Sequence, residues 1–96
     1  MVNKIADNAA AAEIIALKAL GFLTSDDDRL GAFMSLSGIG PGELKAGIGD
    51  PNVLAGIPDH LLENESLLLE FAAWAELAPQ AIVRARQKLP GAHFDS

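Results

Sequence analysis

The sequence predicts an all-α protein, a compact bundle of five to six short helices with a Gly-rich hairpin between the second and third. Three observations carry that expectation. Half of the 96 residues are hydrophobic and only 5% are aromatic, so the apolar mass is mostly Ala, Leu and Ile, which favours helix over strand. Helix-start signals recur along the chain as a capping residue or a proline just ahead of an apolar run. No stretch alternates apolar and polar residues as a half-buried strand would.

The elements follow in order. Asp7 or Asn8 can cap a helix from about Ala9 to Leu23. At roughly 100° per residue, Ile14, Ile15, Leu17, Leu20, Phe22 and Leu23 do not share one stripe. They spread around most of the circumference, with Ala filling the gaps. A helix of that kind belongs at the centre of the fold or against another chain. Ser25 is a good N-cap for a second helix, about Asp26 to Leu36, and Asp26, Asp27 and Asp28 complement its positive end. Leu30, Phe33 and Met34 form its inner face. The Asp triplet lacks the alternating oxygen ligands and distant Glu of a calcium loop, so capping is the better reading.

Ser37 to Gly42 is a tight turn, and Pro41 suits the first position of a short third helix, about Pro41 to Ile48. Asp50-Pro51 repeats the start signal for a fourth helix carrying Val53, Leu54, Ile57, Leu61 and Leu62. Pro58 within it should kink the helix or divide it in two. Asn64 caps a fifth helix, about Glu65 to Leu77, with Leu67, Leu68, Phe71, Trp74 and Ala75 on a broad apolar face. Pro79 starts a sixth, to about Leu89, with Ile82, Val83 and Leu89 inward and Arg84, Arg86 and Lys88 as a solvated C-terminal end. The whole of 1–96 is read as a single domain, with loose termini at 1–7 and 91–96.

Composition narrows the function classes. Thirteen acidic against seven basic residues leave a net charge of −6, which disfavours nucleic acid and anionic membrane as partners. The chain has no cysteine, so thiol chemistry is absent. The apolar stretch 9–23 contains Glu13 and Lys18 and is shorter than the roughly 20 residues of a membrane span. No membrane association and a cytoplasmic location are the expectations that follow.

No catalytic, cofactor or metal site is legible. His60 lies beside Asp59 and three residues before Glu63, too few convergent ligands for a metal, and it reads as a surface or half-buried histidine. His93 falls in the expected tail. Serines 25, 35, 37 and 66 stand in no nucleophile motif, and the glycines do not follow a strand. The expectation is therefore that the protein is not an enzyme and carries no cofactor.

One segment suggests a binding mechanism. Leu36 to Ile48 is similar to the helix-hairpin-helix element of DNA-binding proteins, in which a Gly-hydrophobe-Gly turn offers backbone amides to a phosphate. The resemblance implies that Gly38 and Gly40 would face the phosphate and that Ile39 would plug the hairpin into the core. Leu44 stands where that family has a small residue, and Lys45 is the only nearby cation. A nucleic-acid module is thus the alternative function.

From about Ala10 to Pro90 the chain also resembles a family of small bacterial proteins, domain of unknown function 3572. Residues 16–23, then Asp28-Arg29-Leu30-Gly31 and Phe33, carry the likeness. It continues through Leu36 to Leu44, Asp50-Pro51 with Leu54, and Leu67 to Ala72. The resemblance implies a compact helical domain and no particular activity.

The leading expectation is an interaction domain whose partner is another protein or a second copy of this chain. Its apolar coverage looks too broad for one protomer to bury, since large exposed apolar patches mark partner surfaces. The interface candidates are Leu69, Trp74 and Leu77. Trp74 fits a core position by spacing, yet a lone Trp also anchors interfaces.

Overall fold

A computed structural model describes residues 9–91, and within them the chain forms six helices and no strand. These are α1 (Ala9–Thr24), α2 (Asp27–Ser37), α3 (Pro41–Ala46), α4 (Pro51–Leu62), α5 (Glu65–Ala75) and α6 (Pro79–Gln87). The capping expected of Asp7 or Asn8, the loose termini over 1–7 and 92–96, and His93 lie outside the described residues.

Local chemistry sets most boundaries. Asp50 accepts from the Asn52 amide at 2.9 Å and Asn64 from the Leu67 amide at 3.2 Å, so both cap as expected. Pro41, Pro51 and Pro79 each occupy the first turn of their helix, where a missing N–H costs nothing. The start of α2 differs from expectation. Asp26, not Ser25, is the N-cap, accepting from the Asp28 amide at 2.8 Å and the Arg29 amide at 3.3 Å. The Ser25 hydroxyl instead donates to the Phe22 carbonyl at 2.6 Å and closes the end of α1. A carboxylate is the stronger acceptor at a positive helix end, which leaves the hydroxyl to serve the orphan carbonyl behind it.

Pro58 neither divides α4 nor shortens it, because the helix runs unbroken from Pro51 to Leu62 with Pro58 buried in its interior. Tertiary packing holds what local propensity opposes, since Leu54, Ile57 and Leu61 on the same helix are all buried. The fifth helix ends two residues earlier than expected. Glu76 takes a left-handed conformation (φ 59°, ψ 45°), and the Leu77 amide donates back to the Ala72 carbonyl at 2.8 Å. This Schellman-type closure folds Leu77 against the core.

The core is organised around α1, which packs against α2, α4, α5 and α6. Phe22, Phe33, Phe71, Leu23, Ile57, Leu61 and Ile82 are its largest fully buried side chains. The Phe22 ring lies 5.5 Å from Phe71 and 5.5 Å from Trp74, and the Arg29 guanidinium covers it 4.4 Å from the ring centre. Arg29 also reaches Glu70 at 3.4 Å, tying α2 to α5 across that aromatic group.

Arg86 corrects the expectation of a solvated basic helix end, for it is only 5% exposed. Its fork grips the Asp59 carboxylate on α4 through Nε and Nη2, the latter at 3.2 Å from Oδ2. Its Nη1 donates to the carbonyls of Leu89 and Pro90 at 3.3 and 3.0 Å. One side chain thus clamps α6 to α4 and ties down the chain that leaves α6.

Two outcomes follow for urea unfolding. Asp59→Ala leaves a buried guanidinium without a counter-charge and should cost about 2–4 kcal/mol. Arg86→Met leaves only a partly hydrated carboxylate and should cost less, about 1–2 kcal/mol. Equal losses would show that the burial of the cation is not what makes the pair matter. Glu76→Gly relieves a left-handed L-residue and should raise stability by roughly 0.5–1 kcal/mol, visible as a higher thermal midpoint.

Candidate functional site

Two surfaces stand out: an apolar strip on α1, and a small polar cleft beside the hairpin. The strip comes directly from the spacing of α1. Ala10, Ile14, Leu17 and Gly21 follow one another at intervals of 4, 3 and 4, which places them within about 60° of arc on one face. All four are exposed, Ile14 by 52% and Leu17 by 42%, while Ala12, Ile15, Ala16, Ala19 and Leu23 fill the core. Glu13 and Lys18 flank the strip on opposite sides, and neither makes an ion pair within the described residues.

Trp74 borders the far end of this strip. A side chain at Gly21 would begin 4.0 Å from its Cη2 atom, so the indole continues the apolar surface from α1 onto α5. It is 53% exposed, resting on Phe22 and Phe71 and presenting its outer part to solvent. The other two candidates part from it. Leu69 is exposed but lies about 140° around α5 from Trp74, so the two do not share a patch. Leu77 is partly buried against the core. Ile14 and Leu17 were the positions missed, and the 4-3-4 spacing was the signal that could have found them.

The hairpin places Gly38 in the left-handed region (φ 77°) as the C-cap of α2, whereas Gly40 is extended (φ −84°). Its amides are already engaged. Gly38 donates to the Met34 carbonyl at 3.0 Å, Ile39 to the Ser37 hydroxyl at 3.1 Å, and Gly40 to the Glu43 carboxylate at 2.9 Å. A carboxylate of the chain itself thus sits where a phosphate would be held. Ile39 packs against the core, and Lys45 is exposed near the end of α3.

Between that turn and α4 lies a cleft of about 220 Å³, lined by Leu36, Ser37, Ile39, Gly56, Asp59, His60 and Glu63. His60 is 7% exposed, correcting the expected surface or half-buried histidine, and its ring meets Phe33 edge-on at 5.2 Å. Burial pushes its pKa below the ordinary 6.5, and the opposing influence of the Glu63 carboxylate is smaller. The imidazole is therefore neutral near pH 7. Among the described residues no group of three or more His, Cys, Asp or Glu is placed to hold a metal ion. No single helix among them is long and apolar enough to cross a membrane; α5 and α6 reach the length only across a 102° bend.

Burial of a neutral imidazole has a pH signature. The unfolded chain takes up the proton first as pH falls, so the contribution of His60 is fully present above about 6.5 and is lost below it. Urea midpoints measured from about pH 7.5 down to 5.5 should fall, and the fall should be shallower in His60→Gln. Identical pH profiles for the two proteins would contradict this account.

Comparison with known proteins gives one positive result. The model of the family described as "Protein of unknown function (DUF3572)" matches residues 9–92. No curated protein and no solved structure matches the chain significantly.

Proposed function

The chain belongs to the DUF3572 family, and from that premise we propose that it is a non-enzymatic interaction domain that pairs with a second copy of itself along α1. The observation that carries this reading is the open strip of Ala10, Ile14, Leu17 and Gly21 at heptad spacing. In a parallel pair Ile14 and Leu17 occupy the a and d positions, which makes Glu13 a g residue and Lys18 the e residue five positions on. Each Glu13 then faces the Lys18 of the second copy, twice across the two-fold axis. An antiparallel pair would set Glu13 against Glu13 and Lys18 against Lys18 instead.

Glycine at position 21 lets the partner backbone approach closely, and Trp74 at the border adds a rigid apolar anchor. The seam is short, about two heptads, so the pairing is expected to be weak, with a dissociation constant in the micromolar range. The nucleic-acid alternative has less to stand on. The amides of its hairpin are bonded within the chain, and a net charge of −6 offers little to a phosphate backbone.

Because the chain contains no cysteine, introduced thiols test the geometry cleanly. Under mild oxidation Ile14→Cys and Leu17→Cys should each cross-link to itself, as a parallel pair brings like positions together. Cross-linking only in a mixture of the two would point to an antiparallel pair, and none in either would remove the seam. Sedimentation velocity should show a monomer–dimer equilibrium that Leu17→Glu weakens by about tenfold or more, about 1.4 kcal/mol. A monomer at near-millimolar concentration would overturn the proposal.

A further inference from the structure

We propose that the cleft between the α2–α3 turn and α4 binds a small organic cation, an ammonium or guanidinium group on a short alkyl stem. The charge of the cleft points that way. No Lys or Arg lines it, while Asp59 and Glu63 do. Asp59 is neutralised by Arg86, so of the two carboxylates in the lining Glu63 is the one with no counter-ion among the described residues. A singly charged cation balances it.

His60 supplies the second, independent feature. It is more than nine-tenths buried, and its side chain makes no hydrogen bond among the described residues. Yet no side-chain nitrogen or oxygen among the described residues is both fully enclosed and unpaired. Its ring nitrogens are therefore not sealed from open space, and the residue lines the cleft. A neutral imidazole offers one lone pair there, an acceptor for an N–H donor. Glu63, the C-cap of α4 three residues after His60, offers charge-assisted acceptors beside it in the same cleft. The arrangement asks for a positively charged donor.

Gly56 forms part of the wall, and packing does not explain it. A glycine inside a helix costs roughly 0.5–1 kcal/mol relative to alanine. A Cβ at this position would find only the Ile39 Cδ1 atom, 3.9 Å away, an ordinary contact. The missing side chain keeps the cleft open, and Ile39 with Leu36 gives it an apolar side suited to methylenes. At about 220 Å³ the cleft is smaller than the roughly 300–1,000 Å³ of drug-sized sites. It suits a fragment the size of a lysine or arginine side chain. The cation could be a free amine or guanidine, or the basic side chain of a peptide; the recognition chemistry is shared.

The test is an amide and imidazole NMR titration of the full chain in the Leu17→Glu background, which separates it from self-association. n-Propylguanidinium stands for the free cation, acetyl-Gly-Arg-Gly-amide for the peptide side chain, and neutral n-propylurea is the control. Saturable shifts at Ile39, Gly56 and His60 are expected with at least one cationic probe and not with the urea. Glu63→Gln should weaken binding about tenfold, as loss of a charged partner implies. Gly56→Ala should weaken it several-fold while raising the thermal midpoint, a pairing of effects that a purely structural glycine would not give. Saturation by only one probe identifies the source of the cation. Absence of saturable shifts with both, equal shifts with the urea, or binding unchanged in Glu63→Gln would overturn the proposal.

Discussion

The grip of Arg86 on Asp59 is the constraint on which the rest of the arrangement hangs. A guanidinium is seldom taken out of water, and here every face of its fork is used, on a carboxylate from α4 and on two carbonyls beyond α6. The pair fixes α6 against α4, and both of those helices pack on α1. Asp59 also sits between Pro58 and His60, so the same contact holds the turn of α4 that faces the cleft. The wall of the cleft and the closure of the core share one electrostatic anchor.

Around that anchor, α1 behaves as a helix with more apolar surface than its neighbours can cover. Its Ala-rich inner sides let four helices approach closely, and Phe22 extends the packing into the Phe71 and Trp74 cluster. The side that remains is regular: small and branched apolar residues in a heptad rhythm, with one acid and one base at its borders. A central helix that is apolar all round and open on one strip unites the two roles such a sequence can serve, core element and contact surface.

The two surfaces differ in kind. The strip on α1 is apolar, exposed and flanked by opposite charges, which suits a self-complementary contact. The cleft on α4 is concave and acidic, with one buried neutral imidazole, which suits a small charged group. The hairpin links them only indirectly. Its glycines and Glu43 satisfy their own backbone and carry Ile39 into the core, so its role is to form the cleft's outer wall.

The existence, type and order of all six helices could be read from the residues alone, because their causes are local: alanine and leucine propensity, the caps Asp50 and Asn64, and the prolines 41, 51 and 79. Of the candidate contact residues, Trp74 and Leu69 are exposed and Leu77 is packed against the core. What only the tertiary structure decided were matters of distant partners. Arg86 found Asp59 twenty-seven residues away, His60 went inside against Phe33, Leu77 turned inward behind a left-handed Glu76, and Pro58 was carried within an unbroken helix. Spacing along one helix tells which side chains share a face, but which face meets solvent depends on how the helices stack, and that is settled by packing across the whole chain.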